Sequence, residues 1–89
     1  MSVYHDRITL GTAATEIVPA WSSPQYVMLH NMTKSSNEYI FVGGSAVGTT
    51  NSIHIDPGDN LNFHLPPGDS LYALSDPDGL DVGILVMRK

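Results

Sequence analysis

Ile55-Asp56-Pro57-Gly58-Asp59-Asn60-Leu61 and Leu65-Pro66-Pro67-Gly68-Asp69-Ser70-Leu71 carry the same Pro-Gly-Asp turn between alternating apolar residues. In each, proline presets φ near about −65° and the following glycine takes the positive φ that a type II turn requires. The two turns read as successive corners of an antiparallel sheet. Between them Leu61, Phe63 and Leu65 alternate with Asn62 and His64, the period of two that marks a strand with one buried face. The next strand sets Leu71, Ala73 and Ser75 against Tyr72 and Leu74, so both of its faces are expected to be covered.

Working outward, Gly, Pro, Asn and Asp punctuate the rest of the chain, and no stretch sustains apolar residues at helical spacing. The spacing predicts strands over 3–10, 14–18, 25–31, 38–42, 52–55, 61–65, 71–75 and 81–87. Glu38-Tyr39-Ile40-Phe41-Val42 is dense in β-branched and aromatic residues and reads as a central strand. Eight short antiparallel strands in 89 residues make two packed sheets or a small barrel around one core. The expected fold is therefore all-β, a single antiparallel β-sandwich or jelly-roll-like barrel spanning 1–89. Its expected core is Ile8, Leu10, Ile17, Val27, Leu29, Ile40, Val42, Ile53, Ile55, Leu61, Phe63, Leu65, Leu71, Ile84 and Val86. The polar segment 1–7 reads equally as an edge strand or as an arm reaching a neighbour.

A chain this short buries roughly 60–65% of its unfolded surface. It has no cysteines, so disulfides and thiolate metal clusters are excluded as aids to stability. Oligomerisation is the remaining common device. The formal net charge is −5, and the four cations Arg7, Lys34, Arg88 and Lys89 assemble no basic stripe, which argues against nucleic-acid binding. The apolar runs fall well short of the roughly 20 residues of a spanning helix, and no secretory leader pattern opens the chain, so no membrane partner is expected.

Catalytic and metal chemistry find little purchase. His5, His30, His54 and His64 show no H-x-H or H-x-x-x-H spacing, though His54 and His64 occupy related positions and would face each other if their strands paired. Asp76-Pro77-Asp78-Gly79 has a calcium-like look without the further ligands of an EF-hand, and is read more simply as a hairpin turn. No G-x-S-x-G elbow or phosphate loop is present. The stretch Ile55 to Leu74 resembles the second half of a cupin. It lacks the histidine pair and glutamate of that family's first motif, and Leu71 stands where the second motif's histidine is expected. The reading is a non-enzyme with no catalytic residue, no metal and no cofactor. Tyr4, Trp21, Tyr26, Tyr39 and Tyr72 are the candidate partner-contact residues, because aromatic side chains are enriched at interfaces and also stack on sugar rings.

The order Ile8-Thr9-Leu10-Gly11-Thr12, Val18-Pro19, Leu29-His30-Asn31, then Tyr39-Ile40-Phe41-Val42-Gly43-Gly44-Ser45-Ala46-Val47 continues through the Pro57-Gly58 turn, Leu61 to Leu65 and Leu71-Tyr72-Ala73-Leu74 to a last apolar strand. It resembles small accessory virion proteins of tailed bacteriophages, including capsid decoration and minor capsid proteins. The resemblance covers most of the chain and rests on strand-and-turn signatures. It implies a structural protein made in the host cytoplasm and carried on the capsid surface of the virion. It further implies a trimer that binds the major capsid protein and stabilises the lattice from outside. The alternative is a carbohydrate-binding module using Trp21 and a tyrosine as its platform.

Overall fold

The chain cannot lay its eight strands flat and still bury two apolar faces, so it folds them into two layers. The computed structural model describes residues 2–50 and 52–88; Met1 of the 1–7 segment, Asn51 at the end of the 46–51 loop, and Lys89 lie outside the described residues. The strands are β1 (Ser2–Leu10), β2 (Thr15–Val18), β3 (Gln25–Asn31), β4 (Tyr39–Gly43), β5 (Ile53–Ile55), β6 (Asn60–Leu65), β7 (Leu71–Asp76) and β8 (Leu80–Arg88). Sheet 1 has the order β1-β8-β3-β6 and sheet 2 the order β2-β7-β4-β5. Every pairing is antiparallel. The result is an all-β jelly-roll sandwich, as the alternation predicts.

Both Pro-Gly-Asp segments are the expected turns. Asp59 N donates to Asp56 O at 3.0 Å and Asp69 N to Pro66 O at 3.2 Å, with φ of 78° at Gly58 and 84° at Gly68. They are not corners within one sheet. The first carries the chain from β5 in sheet 2 to β6 in sheet 1, and the second returns it to β7 in sheet 2. Asp76-Pro77-Asp78-Gly79 likewise joins β7 to β8 across the sandwich and is not a hairpin. Sequence-adjacent strands pair in one case, β4 with β5. Turn chemistry specifies a reversal locally, whereas the choice of pairing partner depends on which faces must meet.

The core forms where the inward rows interdigitate. Leu10, Ile17, Val27, Leu29, Ile40, Val42, Ile55, Leu65, Leu71, Ile84 and Val86 are buried as expected, and Ile8, Leu61 and Phe63 pack partly against them. Val18, Ala73, Leu80 and Val82 join this cluster. Val18 does so because a bulge between Glu16 and Val18 turns two successive side chains inward. Ile53 is the exception to the expected core, being 60% exposed, because β5 is a three-residue edge strand that nothing flanks on its outer side. Phe41 and Leu74, partners across β4 and β7, are buried outside the main cluster. This covers both faces of β7.

Three buried polar side chains hold the layers in place, and one of them, Ser75 on β7, donates from Oγ to Leu10 O on β1 in the other sheet at 3.1 Å. Asn31 continues the inward row of Val27 and Leu29, and its Nδ2 donates to Glu38 O and Ile55 O, both at 2.9 Å. Gln25, at the other end of the same row, donates from Nε2 to Pro19 O at 3.0 Å. Among the described residues no buried side-chain nitrogen or oxygen lacks a partner.

Candidate functional site

The aromatic residues singled out by sequence do not form one platform. Tyr4 and Trp21 come together at one end of the sandwich around Arg88, whose guanidinium carbon lies 5.4 Å from the Tyr4 ring centroid and 4.3 Å from that of Trp21. Arg88 Nε donates to Gln25 Oε1 at 2.8 Å, so the stacked cation is fixed from inside by a buried carboxamide. The Tyr4 hydroxyl donates to Asp6 Oδ2 at 3.0 Å. That hydrogen bond, with lesser contributions from burial and the Asp6 charge, raises the phenol's pKa above its usual value, and Arg88 opposes the shift. This end is a closure made of side chains that satisfy one another.

Tyr26 stands on the outer face of sheet 1, edge-on to His64 with ring centroids 4.8 Å apart. Tyr39 belongs to sheet 2, where His54 on the neighbouring edge strand lies 4.9 Å away and also within 3.0 Å of Asp56 Oδ1. Tyr72, on β7, is paired with Glu16 on one side and Gly43 on the other. His54 and His64 therefore sit in different sheets, and their strands do not pair. Among the described residues no three His, Asp or Glu side chains converge as metal ligands would.

Three openings stand out among the described residues, none marked by the singled-out aromatic residues, and one of them, about 240 Å³ beside Gly43, Gly44 and Val47, is a shallow loop-side hollow. Of the other two, the first is a slot of about 200 Å³ between the free edges, lined by Val42, Gly43, Ile53, Leu61, Phe63 and Leu71. Edge strands β5 and β6 belong to opposite sheets, so the flank between them is closed by side chains alone. The slot is almost wholly apolar, and the exposed Ile53 stands at its mouth. β6 leaves its free edge open without the usual protection. It carries no Lys, Glu, Asp or Pro over Asn60–Leu65 and pairs with β3 without a bulge.

The second is a depression of about 590 Å³ on the outer face of sheet 1, lined by residues of β1, β3, β6 and β8 and by Met32 just beyond β3. At one rim Arg7 contacts Asp81, Nε and Nη2 lying 2.8 and 2.6 Å from Oδ2, while the Thr9 hydroxyl donates to Oδ1 at 2.6 Å. The Thr9 bond first, and Arg7 second, hold the Asp81 carboxyl below the usual carboxylate range.

No family model and no curated protein sequence matches the chain. Among solved structures it is similar to a chain described as "Bacillus endospore appendages form a novel family of disulfide-linked pili". The two share 17% identity with a TM-score of 0.52, over 96% of this chain and 83% of that one. At that identity the likeness is one of fold.

Proposed function

We propose that the protein is a structural, non-enzymatic subunit of a multi-copy assembly, and specifically a trimer on the outside of a phage capsid. There it binds the major capsid protein and stabilises the lattice. The observation that carries the reading is the apolar slot between β5 and β6, with Ile53 60% exposed at its mouth beside the unprotected β6 edge. An exposed aliphatic side chain next to an open strand edge is a template for association.

Strand direction supports a head-to-tail contact. In β1-β8-β3-β6 every neighbour is antiparallel, so β6 runs opposite to β1, and β5 likewise runs opposite to β2. The β5–β6 flank of one copy placed against the β1–β2 flank of the next therefore continues both sheets as antiparallel pairs. Repeated three times with closure, this heterologous contact gives a three-fold ring. Three linked copies turn later lattice contacts into intramolecular ones, which raises apparent affinity by roughly 10² to 10⁴. The fold likeness to a chain described with disulfide-linked pili is compatible with a subunit role, although this chain has no cysteine and its contacts are non-covalent.

Sedimentation velocity tests the trimer. A species of about 29 kDa, three times the 9.6 kDa chain, is expected, and Ile53→Glu is expected to dissociate it while leaving the melting temperature of the subunit unchanged. Co-sedimentation with capsid shells tests the lattice step separately. Absence of shell binding by a proven trimer defeats the capsid assignment but leaves the assembly standing.

A further inference from the structure

Gly83 lies in the interior of β8, a central strand, where glycine costs about 0.5–1 kcal/mol relative to alanine. Its φ is outside the left-handed region, so the backbone does not require glycine there. Packing does not require it either. A Cβ built at Gly83 meets the Met32 sulfur at 3.4 Å, Met32 Cγ at 3.6 Å and His30 Cβ at 3.7 Å, all ordinary van der Waals contacts. A glycine without conformational or steric need inside a strand often marks a bulge, a bend or a place where something else approaches the backbone, and β8 pairs with β1 and β3 through Gly83 without a register shift.

That place is the centre of the depression on the outer face of sheet 1. The strand registers set Arg7, Gly83, His30 and Asn60 in one row across the sheet, and His5, Leu85, Met28 and Asn62 in the next. The floor is the backbone of Gly83 with the Met32 side chain beside it, flanked by the half-buried Leu85 and Met28. The walls are imidazoles and carboxamides, of which His30 Nδ1 and Asn60 Oδ1 are already hydrogen-bonded to each other, leaving His30 Nε2, His5 and Asn62 free to meet a ligand. Neutral imidazole and carboxamide each offer both a donor and an acceptor, as a sugar hydroxyl does. The one full cation at the rim, Arg7, is already neutralised by Asp81, and the Asp6 carboxylate, which also lines the depression, is occupied by the Tyr4 hydroxyl and Arg7 N, so the site has no surplus positive charge for an anion to meet. Its volume, about 590 Å³, is in the range of small-ligand sites.

We propose that this depression binds a sugar unit of a neutral glycan, the C–H face of the ring lying on Gly83, Met28 and Leu85 and its hydroxyls meeting His5, His30 and Asn62. The site is separate from Trp21 and from the β5–β6 slot, and its occupancy does not depend on the assembly proposed above.

The test is titration of isotope-labelled protein with maltose, cellobiose, lactose and chitobiose, followed by amide NMR. At least one of these sugars is expected to shift the amides of Met28, His30, Gly83 and Leu85 in a saturable way. Gly83→Val fills the floor with a residue suited to a strand and is expected to abolish those shifts while the fold is retained. Asn62→Ala, at an exposed strand position, is expected to weaken binding by about 3- to 10-fold and gives the answer should the valine variant fail to fold. Trp21→Ala is expected to change nothing. The proposal is overturned if none of the sugars shifts these amides, if binding survives Gly83→Val, or if it follows Trp21. Shell binding by Gly83→Val, measured in parallel, separates loss of this site from loss of the assembly.

Discussion

The side-chain nitrogen of Asn31 on β3 lies 2.9 Å from the carbonyl oxygen of Ile55 on β5, a hydrogen bond that crosses from one sheet to the other. The same carboxamide donates to Glu38 O, and its oxygen accepts from Thr33 N and Thr33 Oγ1. One fully buried residue thus fixes the spacing of the layers and the start of β4. Asn31→Ala strands two carbonyls that it now satisfies, and should lower the unfolding free energy by about 2–4 kcal/mol. Asn31→Asp keeps the shape but removes the donors and buries a charge, so it should cost at least as much at neutral pH. Urea unfolding of both variants checks this, and a loss within about 0.5 kcal/mol for Asn31→Ala would show that the bridge is dispensable.

Arg88 is held by rings on the outside and by Gln25 on the inside. Removing a ring removes one weak cation–π contact of about 0.5–1 kcal/mol, whereas removing the guanidinium leaves the buried Gln25 oxygen without its charged donor. Arg88→Ala should therefore destabilise by about 1–3 kcal/mol, more than Tyr4→Leu, which removes one ring. The fluorescence of Trp21, the chain's single tryptophan, should change in Arg88→Ala and much less in Tyr4→Leu. Equal stability loss in the two variants would contradict the dominant role given to Gln25.

These two clusters also mark where the sequence stops being legible. The strands and the inward rows follow from alternation, which by itself places Leu61, Phe63 and Leu65 on one inward face. Asn31 and Gln25 sit on the same parity as Val27 and Leu29, so their burial is signalled, but polarity alone makes them resemble the ends of a loop. The bulge that buries Val18 and the exposure of Ile53 have no local signal, because each depends on the neighbouring strand. Pairing across sheets is equally non-local, which is why both Pro-Gly-Asp turns are legible as turns while their connections are not. The aromatic residues mislead for the same reason. Composition suggests a platform, and the topology distributes Tyr26, Tyr39 and Trp21 over separate surfaces.

Acid should weaken the tie between β1 and β8. The Asp81 pKa is lowered from its ordinary value of 3.8, first by the Thr9 hydroxyl and then by Arg7. A carboxyl whose folded pKa lies below its unfolded one contributes stability that is fully present above 3.8 and is lost as pH falls through the lowered folded value. Carboxyl-carbon NMR titration should show the Asp81 midpoint rising in Thr9→Val more than in Arg7→Gln. The acid limb of stability against pH should be shallower in Asp81→Asn. A larger rise in Arg7→Gln would reverse the ranking of the two causes.

The two Pro-Gly-Asp corners should respond alike to substitution and differently from Gly83. Gly58 and Gly68 occupy φ of 78° and 84°, where a Cβ approaches the adjoining carbonyl and costs about 1–2 kcal/mol. Nothing lies within 4 Å of a Cβ built at either, so the cost is conformational and contains no clash. Gly58→Ala and Gly68→Ala should each destabilise by that amount, and asparagine at the same positions, which tolerates left-handed geometry, should restore part of it. Gly83→Ala has neither the positive φ nor a forbidding contact, and removes the entropy of a glycine from the unfolded chain, so it should stabilise by about 0.4–1 kcal/mol. Thermal unfolding of the three alanine variants under one buffer separates the cases. A loss at Gly83 as large as at the corners would mean that this glycine is structural, and would remove the reason for reading it as a point of ligand approach.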